Sequence, residues 1–174
     1  SSAARSNFPA VLVRRDGNWL IDTMEETPVP TPPTSRDALR KLEWLVGEWN
    51  DASADDPEVN VSTTFHWAAD EAFLLRSFAV TRQDGTLSQG TQVIGWDPRT
   101  AQIRSWTFNS DGSFGDGEWT EIDEQWSIKS SQTLADGRAA SGTYLLKRVD
   151  DNSLTLQLVG HEIEGEPQPA TPAI

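Results

Sequence analysis

The chain contains no cysteine and few basic residues. Without cysteine, neither a disulfide nor a thiolate metal site can form. Fourteen Lys and Arg stand against 27 Asp and Glu, which gives a formal net charge of -13. Binding to phosphate backbones or to anionic lipid needs clustered basic residues, so we expect neither a nucleic-acid partner nor a membrane partner. No apolar run approaches the ~20 residues that a membrane-spanning helix requires.

Histidine is also scarce, with only His66 and His161 present. Their separation in sequence offers none of the short ligand spacings that are typical of zinc sites. The acidic run at 51–58 lacks the glycine and the bidentate glutamate of a calcium loop, so a solvated loop is the simpler interpretation. We therefore expect no metal and no cofactor. No nucleophile elbow, phosphate loop or dinucleotide fingerprint appears in the sequence.

Tryptophan, by contrast, is abundant, and most of the eight tryptophans lie in short segments whose apolar and polar residues alternate. Alternation with a period of two is typical of β-strands with two unlike faces. Turn residues such as Asp84-Gly85, Asp97-Pro98 and Asp136-Gly137 separate the segments at near-regular spacing. The pattern predicts nine strands, near 47–52, 58–67, 72–82, 87–96, 101–109, 113–121, 124–133, 138–148 and 153–162.

These strands predict an all-β fold, an antiparallel up-and-down meander barrel of about nine to ten strands. We expect the first and last strands to meet and enclose an inner space. A short helix is predicted with Ser35 as its N-terminal cap and with one apolar face formed by Leu39, Leu42, Leu45 and Val46. This helix is expected to cap one end of the barrel. The tail 164–174 ends on an apolar residue, which we expect to lead into one more strand in a longer parent chain.

The N-terminal residues predict a separate small unit. Residues 6–26 alternate around Asp16-Gly17-Asn18, the signature of a β-hairpin. Residues 27–34 contain four prolines and predict an extended, semi-rigid linker. The predicted organisation is therefore a hairpin at 1–26, a linker at 27–34 and a barrel at 35–174.

The segment Leu42-Glu43-Trp44-Leu45-Val46-Gly47-Glu48-Trp49 resembles the start of lipocalin-like (calycin) domains, where a short helix leads through Gly-X-Trp into the first strand. The resemblance, which extends over roughly 36–165, implies a ligand-binding barrel in which Trp49 closes the base. It also implies that a late Arg or Lys packs on this indole, for which Lys147 and Arg148 are the candidates. Bacterial nitrobindin-like proteins are similar, but Asn50-Asp51-Ala52 lacks their glycine-rich extension, so haem is not expected.

The hairpin at 6–26 resembles the last hairpin of ketosteroid-isomerase-like (SnoaL-like) domains, which end on a strand, an Asp-Gly turn and a Trp-containing strand. If that holds, most of such a domain would precede residue 1. No catalytic residue can be transferred, because none of the matching positions is in this chain.

Polar and aromatic residues share several predicted strands, and an Arg in the middle of such a strand is costly unless it is paired or stacked. One interpretation places these residues in the barrel lumen, facing an amphipathic ligand between indoles. The simpler interpretation places them on the outer face, or in an ion pair that fixes the strand register. The candidate ligand-binding residues are Arg76, Gln92, Trp96, Arg104, Trp106, Glu118 and His66.

Three functions are compatible with these patterns. The leading one is a non-enzymatic barrel that binds a small amphipathic or hydrophobic molecule. The second is an assembly module in which the hairpin adds strands to another copy of the chain. The third is an accessory domain of a SnoaL-like enzyme. The acidic, cysteine-free composition suits a bacterial periplasmic or extracellular setting, and it does not exclude the cytoplasm.

Overall fold

The computed structural model describes residues 6–7, 9–24, 27–28, 32–51, 59–82 and 84–174. Their contacts group them into two units, one up to Pro32 and the other from Pro33 onwards. Most of the acidic run at 51–58 lies outside the described residues.

In the first unit, a two-residue turn joins the strands β2 (Ala10–Arg15) and β3 (Asn18–Met24) into the predicted hairpin. Asp16 and Gly17 both have positive φ, 51° and 84°, as the favoured tight hairpin turns require. Two short strands, β1 (Ser6–Asn7) and β4 (Thr27–Pro28), also pair with each other. The start of the expected linker therefore takes part in this unit.

The second unit opens with helix α1 (Ser35–Leu39), which continues as a 3₁₀ helix (Arg40–Leu45). The Thr34 side chain caps α1 by accepting a hydrogen bond from the Asp37 backbone N–H at 3.2 Å, so the cap lies one residue before the predicted Ser35. Leu39, Leu42 and Leu45 are fully buried.

The predicted all-β fold is confirmed. Within the described residues, ten strands form one antiparallel sheet in chain order, each paired with the next. Nine of these ten strands begin and end within two residues of the predicted positions. A 3₁₀ turn (Ala69–Glu71) connects the second strand of this sheet to the third. The strands are β5 (Gly47–Asn50), β6 (Val59–Trp67), β7 (Phe73–Arg82), β8 (Leu87–Asp97), β9 (Gln102–Asn109), β10 (Phe114–Ile122), β11 (Gln125–Thr133), β12 (Ala139–Arg148), β13 (Leu154–Ile163) and β14 (Glu166–Pro167).

The expectation that the first and last strands meet is wrong, because they are not joined by backbone hydrogen bonds in the described residues. Among the described residues, no ladder joins β5 to β13 or β14, so the barrel is not closed. The free edge of β13 is instead taken by the C-terminal tail, whose Ile174 exchanges two backbone hydrogen bonds of 2.9 Å with Leu156. Leu156 therefore has no backbone donor or acceptor left for β5, which is itself only four residues long.

The sheet nevertheless curls around a common interior, because alternate residues of β6 through β13 line one cavity. One end of this interior is covered by α1, which packs on β7 and β8, and by the 3₁₀ helix, whose Leu42 and Leu45 belong to the buried core. Trp49 packs at this end and donates from Nε1 to the Leu45 carbonyl at 2.8 Å. Arg148 lies over Trp44, at 5.7 Å from its ring centroid, rather than over Trp49 as the resemblance implied. Trp44 in turn meets Trp49 edge-on at 6.3 Å.

Candidate functional site

The interior cavity has a volume of about 310 Å³, within the range of small-molecule sites. Leu45 of the 3₁₀ helix forms its floor, and every strand from β6 to β13 contributes to its wall. The wall is mixed in character. Its apolar part includes Phe65, Phe78, Trp119, Ile128, Leu146 and Leu156, and its polar part includes Thr63, Arg76, Gln92, Ser105, Thr107, Ser130, Gln132 and Tyr144.

Arg76 is the cation of this wall. Its Nε donates to the Thr63 hydroxyl at 2.9 Å, and its guanidinium lies over the rings of Phe78 at 4.8 Å and Phe65 at 5.5 Å. Burial lowers the pKa of Arg76 to about 10, and the nearby Tyr144 opposes this effect. The side chain retains some accessible surface because it faces the cavity, but it is removed from bulk water.

Gln92 lies directly opposite Arg76 on the neighbouring strand. Its amide nitrogen donates to the hydroxyls of Thr107 at 3.1 Å and Ser105 at 3.3 Å. Ser105 is buried and also accepts a hydrogen bond from Trp119 Nε1 at 3.0 Å. This network fixes the amide and the indole, so one part of the wall has a defined orientation.

Glycines leave room for the large side chains of the wall. A Cβ on Gly90 would come within 2.3 Å of the Phe78 ring. A Cβ on Gly117 would come within 2.7 Å of the Ser105 hydroxyl. Phe78, one of the two rings beneath Arg76, therefore lies flat on β8 because position 90 has no side chain.

The structure brings together only part of the predicted site. Arg76 and Gln92 face each other in the cavity wall. Trp96 packs against the core instead, and its Nε1 has no hydrogen-bond partner among the described residues. Glu118 and His66 are exposed, and neither lines the interior cavity.

Arg104 and Trp106 belong to the opposite face of β9, where they line an outer groove of about 610 Å³. Arg104 pairs with Asp116 at 3.0 Å, so its charge is already compensated. For Arg104 the structure thus matches the simpler interpretation, an outer ion pair between neighbouring strands. The groove is larger than the interior cavity, but among the described residues its one cation, Arg104, is already paired, and the other charged residues that line it are the carboxylates Asp116 and Glu162.

Four residues of the cavity wall were not among the candidates predicted from the sequence: Tyr144, Ser105, Thr107 and Thr63. The sequence signal that could have identified them is their position on the same strand faces as buried residues. Tyr144, for example, alternates with Leu146, which is buried.

Within the described part of the chain, no three potential His, Asp or Glu ligands gather around a point. None of the helices described has both the length and the apolar character needed to cross a bilayer. A scan against models of protein families finds none that matches the chain, and a search of curated protein sequences finds no match.

Proposed function

We propose that residues 33–174 form a non-enzymatic barrel that binds a small amphipathic molecule in its interior. The observation that carries the proposal is the cavity of about 310 Å³ bounded by apolar rings on one part of its wall and hydrogen-bonding groups on the other. Small-molecule sites combine an apolar lining with a few placed polar groups in this way. The fully buried Leu45 of the helical cap supports it further, because this residue keeps the floor of the cavity apolar.

Binding fits the described wall better than catalysis. General acid–base chemistry needs a proton donor or acceptor that titrates near the working pH. Among the described residues that line the cavity, the ionisable side chains are Arg76, Asp116 and Tyr144, and Asp116 is held by Arg104. These groups suit recognition of polar atoms. The lipocalin-like assignment is part of the same proposal, supported by the helix, the Gly47-Glu48-Trp49 start and the meander.

Titration with a neutral fluorescent probe, N-phenylnaphthylamine, tests the cavity. We expect probe emission to rise and tryptophan emission to fall, because Trp119 lies in the wall. Ser130→Phe fills the interior and should abolish both signals. Ser131→Phe is the matched control, since the neighbouring residue is exposed and lines the outer groove.

The paired variants also locate any binding. Loss of the signal in Ser131→Phe alone would place the site in the outer groove and refute an interior site. If the wild-type protein causes no change in probe emission, binding in the cavity is refuted. Circular dichroism of both variants separates loss of binding from loss of fold.

A second candidate, assembly through the hairpin, is favoured by the exposure of its apolar side chains. Trp19 and Ile21 are 67% and 62% exposed, and Leu12 lies opposite Ile21 in the ladder. Such a surface is unusual unless it is covered by a partner, here a second copy of the chain. Light scattering of the wild type and of the double variant Trp19→Lys/Ile21→Lys tests assembly through the hairpin. If both proteins have the mass of a monomer, this hypothesis is refuted. The similarity to a SnoaL-like hairpin stays a prediction.

A further inference from the structure

The guanidinium of Arg76 is a cation in the cavity wall without an anionic partner. Among the described residues, no carboxylate lies within 4.0 Å of it, although six ion pairs occur elsewhere. The chain has 27 acidic residues, so the missing partner does not reflect a shortage of carboxylates. A buried charge without a counterion is costly, and its presence needs a reason.

The contacts of Arg76 leave one side of its planar group available. Nε is occupied by Thr63, and the two phenylalanine rings lie against the guanidinium. The terminal nitrogens, Nη1 and Nη2, have no hydrogen-bond partner among the described residues. Two adjacent N–H donors on one plane match the two oxygens of a carboxylate, which makes this the geometry of bidentate recognition.

The rest of the cavity wall limits the size and polarity of the uncharged part of a ligand. Phe65 and Phe78 flank Arg76, and Leu146, Leu154 and Leu156 complete an apolar surface in the same cavity. The cavity volume of about 310 Å³ lies near the lower end of the range of small-molecule sites, about 300–1,000 Å³. The cavity therefore fits a compact apolar body, such as a medium-length alkyl chain or a single ring system.

We propose that the ligand is an apolar molecule bearing one carboxylate, which accepts hydrogen bonds from Nη1 and Nη2 of Arg76. The inference rests on the proposed binding function and specifies its ligand class. The phenylalanines and leucines of the wall hold the apolar body. The net charge of -13 disfavours anions in general, so Arg76 supplies the local attraction that the rest of the molecule lacks.

Isothermal titration with decanoate, decanol and decylammonium tests the inference, because the three probes share one chain and differ in charge. The wild type should bind decanoate at least about tenfold more tightly than decanol, equivalent to about 1.4 kcal/mol, and should bind decylammonium most weakly. Arg76→Met should remove this preference, and Arg76→Lys should retain part of it. Arg138→Met, which removes an exposed arginine paired with Asp136 in the turn before β12, should leave the preference unchanged, because neither residue lines the cavity.

Three results would overturn the carboxylate assignment. They are equal affinity of the wild type for decanoate and decanol, a preference that survives in Arg76→Met, and binding of neither probe. The N-phenylnaphthylamine titration decides independently whether the cavity binds apolar molecules. Failure of the carboxylate assignment is thus distinguishable from failure of the proposed function.

Discussion

Replacement of Arg76 by Met should stabilise the ligand-free protein. In the wild type, burial holds the pKa of Arg76 at about 10, about two and a half pH units below its ordinary value. Each unit corresponds to about 1.4 kcal/mol, so burying the charge costs at most about 3–4 kcal/mol. The side chain keeps partial access to the cavity, and this reduces the expected gain to about 1–2 kcal/mol. Met has similar length and keeps contact with the Phe65 and Phe78 rings.

Urea unfolding followed by tryptophan fluorescence measures this gain. A stabilisation of about 1–2 kcal/mol corresponds to an increase of roughly 2–8 °C in Tm for a chain of this size. The folded-state pKa of Arg76 is lowered, so the cost is fully present below pH 10. It is relieved as the pH rises from about 10 towards the unfolded-state pKa. The difference between variant and wild type should therefore be constant from about pH 6 to pH 9 and shrink above pH 10.

Arg104→Met is the matched control, because Arg104 is a partly exposed arginine paired with Asp116 on the outer face. Its loss should lower the free energy of unfolding by no more than about 1 kcal/mol. The reasoning is refuted if Arg76→Met is less stable than the wild type while Arg104→Met behaves as expected. That outcome would mean that Arg76 is a satisfied structural residue.

Gly90→Ala should push the Phe78 ring towards the cavity, lower the free energy of unfolding by about 1–3 kcal/mol and weaken probe binding, as urea unfolding and titration would show. No loss of either would mean that the ring moves freely. Ser105→Ala should cost about 1–3 kcal/mol in urea unfolding, because Trp119 Nε1 loses its buried acceptor, and an unchanged midpoint would contradict this role. Hydrogen bonds from the Ser113 hydroxyl and backbone amide lower the pKa of Asp111, so the stability that this carboxylate contributes is present above its ordinary pKa and lost as the pH falls through the lowered value. Asp111→Asn should therefore lose less stability than the wild type when the pH falls from about 6 to 3, and equal losses would argue against it.

The strands could be predicted from sequence because local signals agree. A period of two and turn pairs such as Asp136-Gly137, where the glycine has φ of 88°, fix where each strand starts and stops. The sheet edges could not be predicted. Pairing of the tail with β13 depends on backbone groups that every residue carries, so no side-chain pattern signals that Ile174 rather than β5 takes that edge.

The candidate site was predicted only in part, because alternation separates two faces without showing which is inside. In β9 the more aromatic face, with Trp106 and Phe108, lies outside, and the face with Ser105 and Thr107 lies inside. Hydrophobicity alone favours the opposite orientation. This is why Arg104 was grouped with Arg76 in the sequence, although the two lie on opposite faces of the sheet.

The orientation of β9 bears directly on whether the interior is a container. Ser105 and Thr107, with Gly117 opposite Ser105 on β10, place small groups where large apolar side chains would fill the core. Large side chains are present in the same strand, but Trp106 and Phe108 remain 38% and 55% exposed. A sequence that served stability alone would gain by exchanging the two faces, at about 25 cal/mol per Å² of apolar surface buried. The inward hydroxyls therefore support a cavity that is kept open for a ligand.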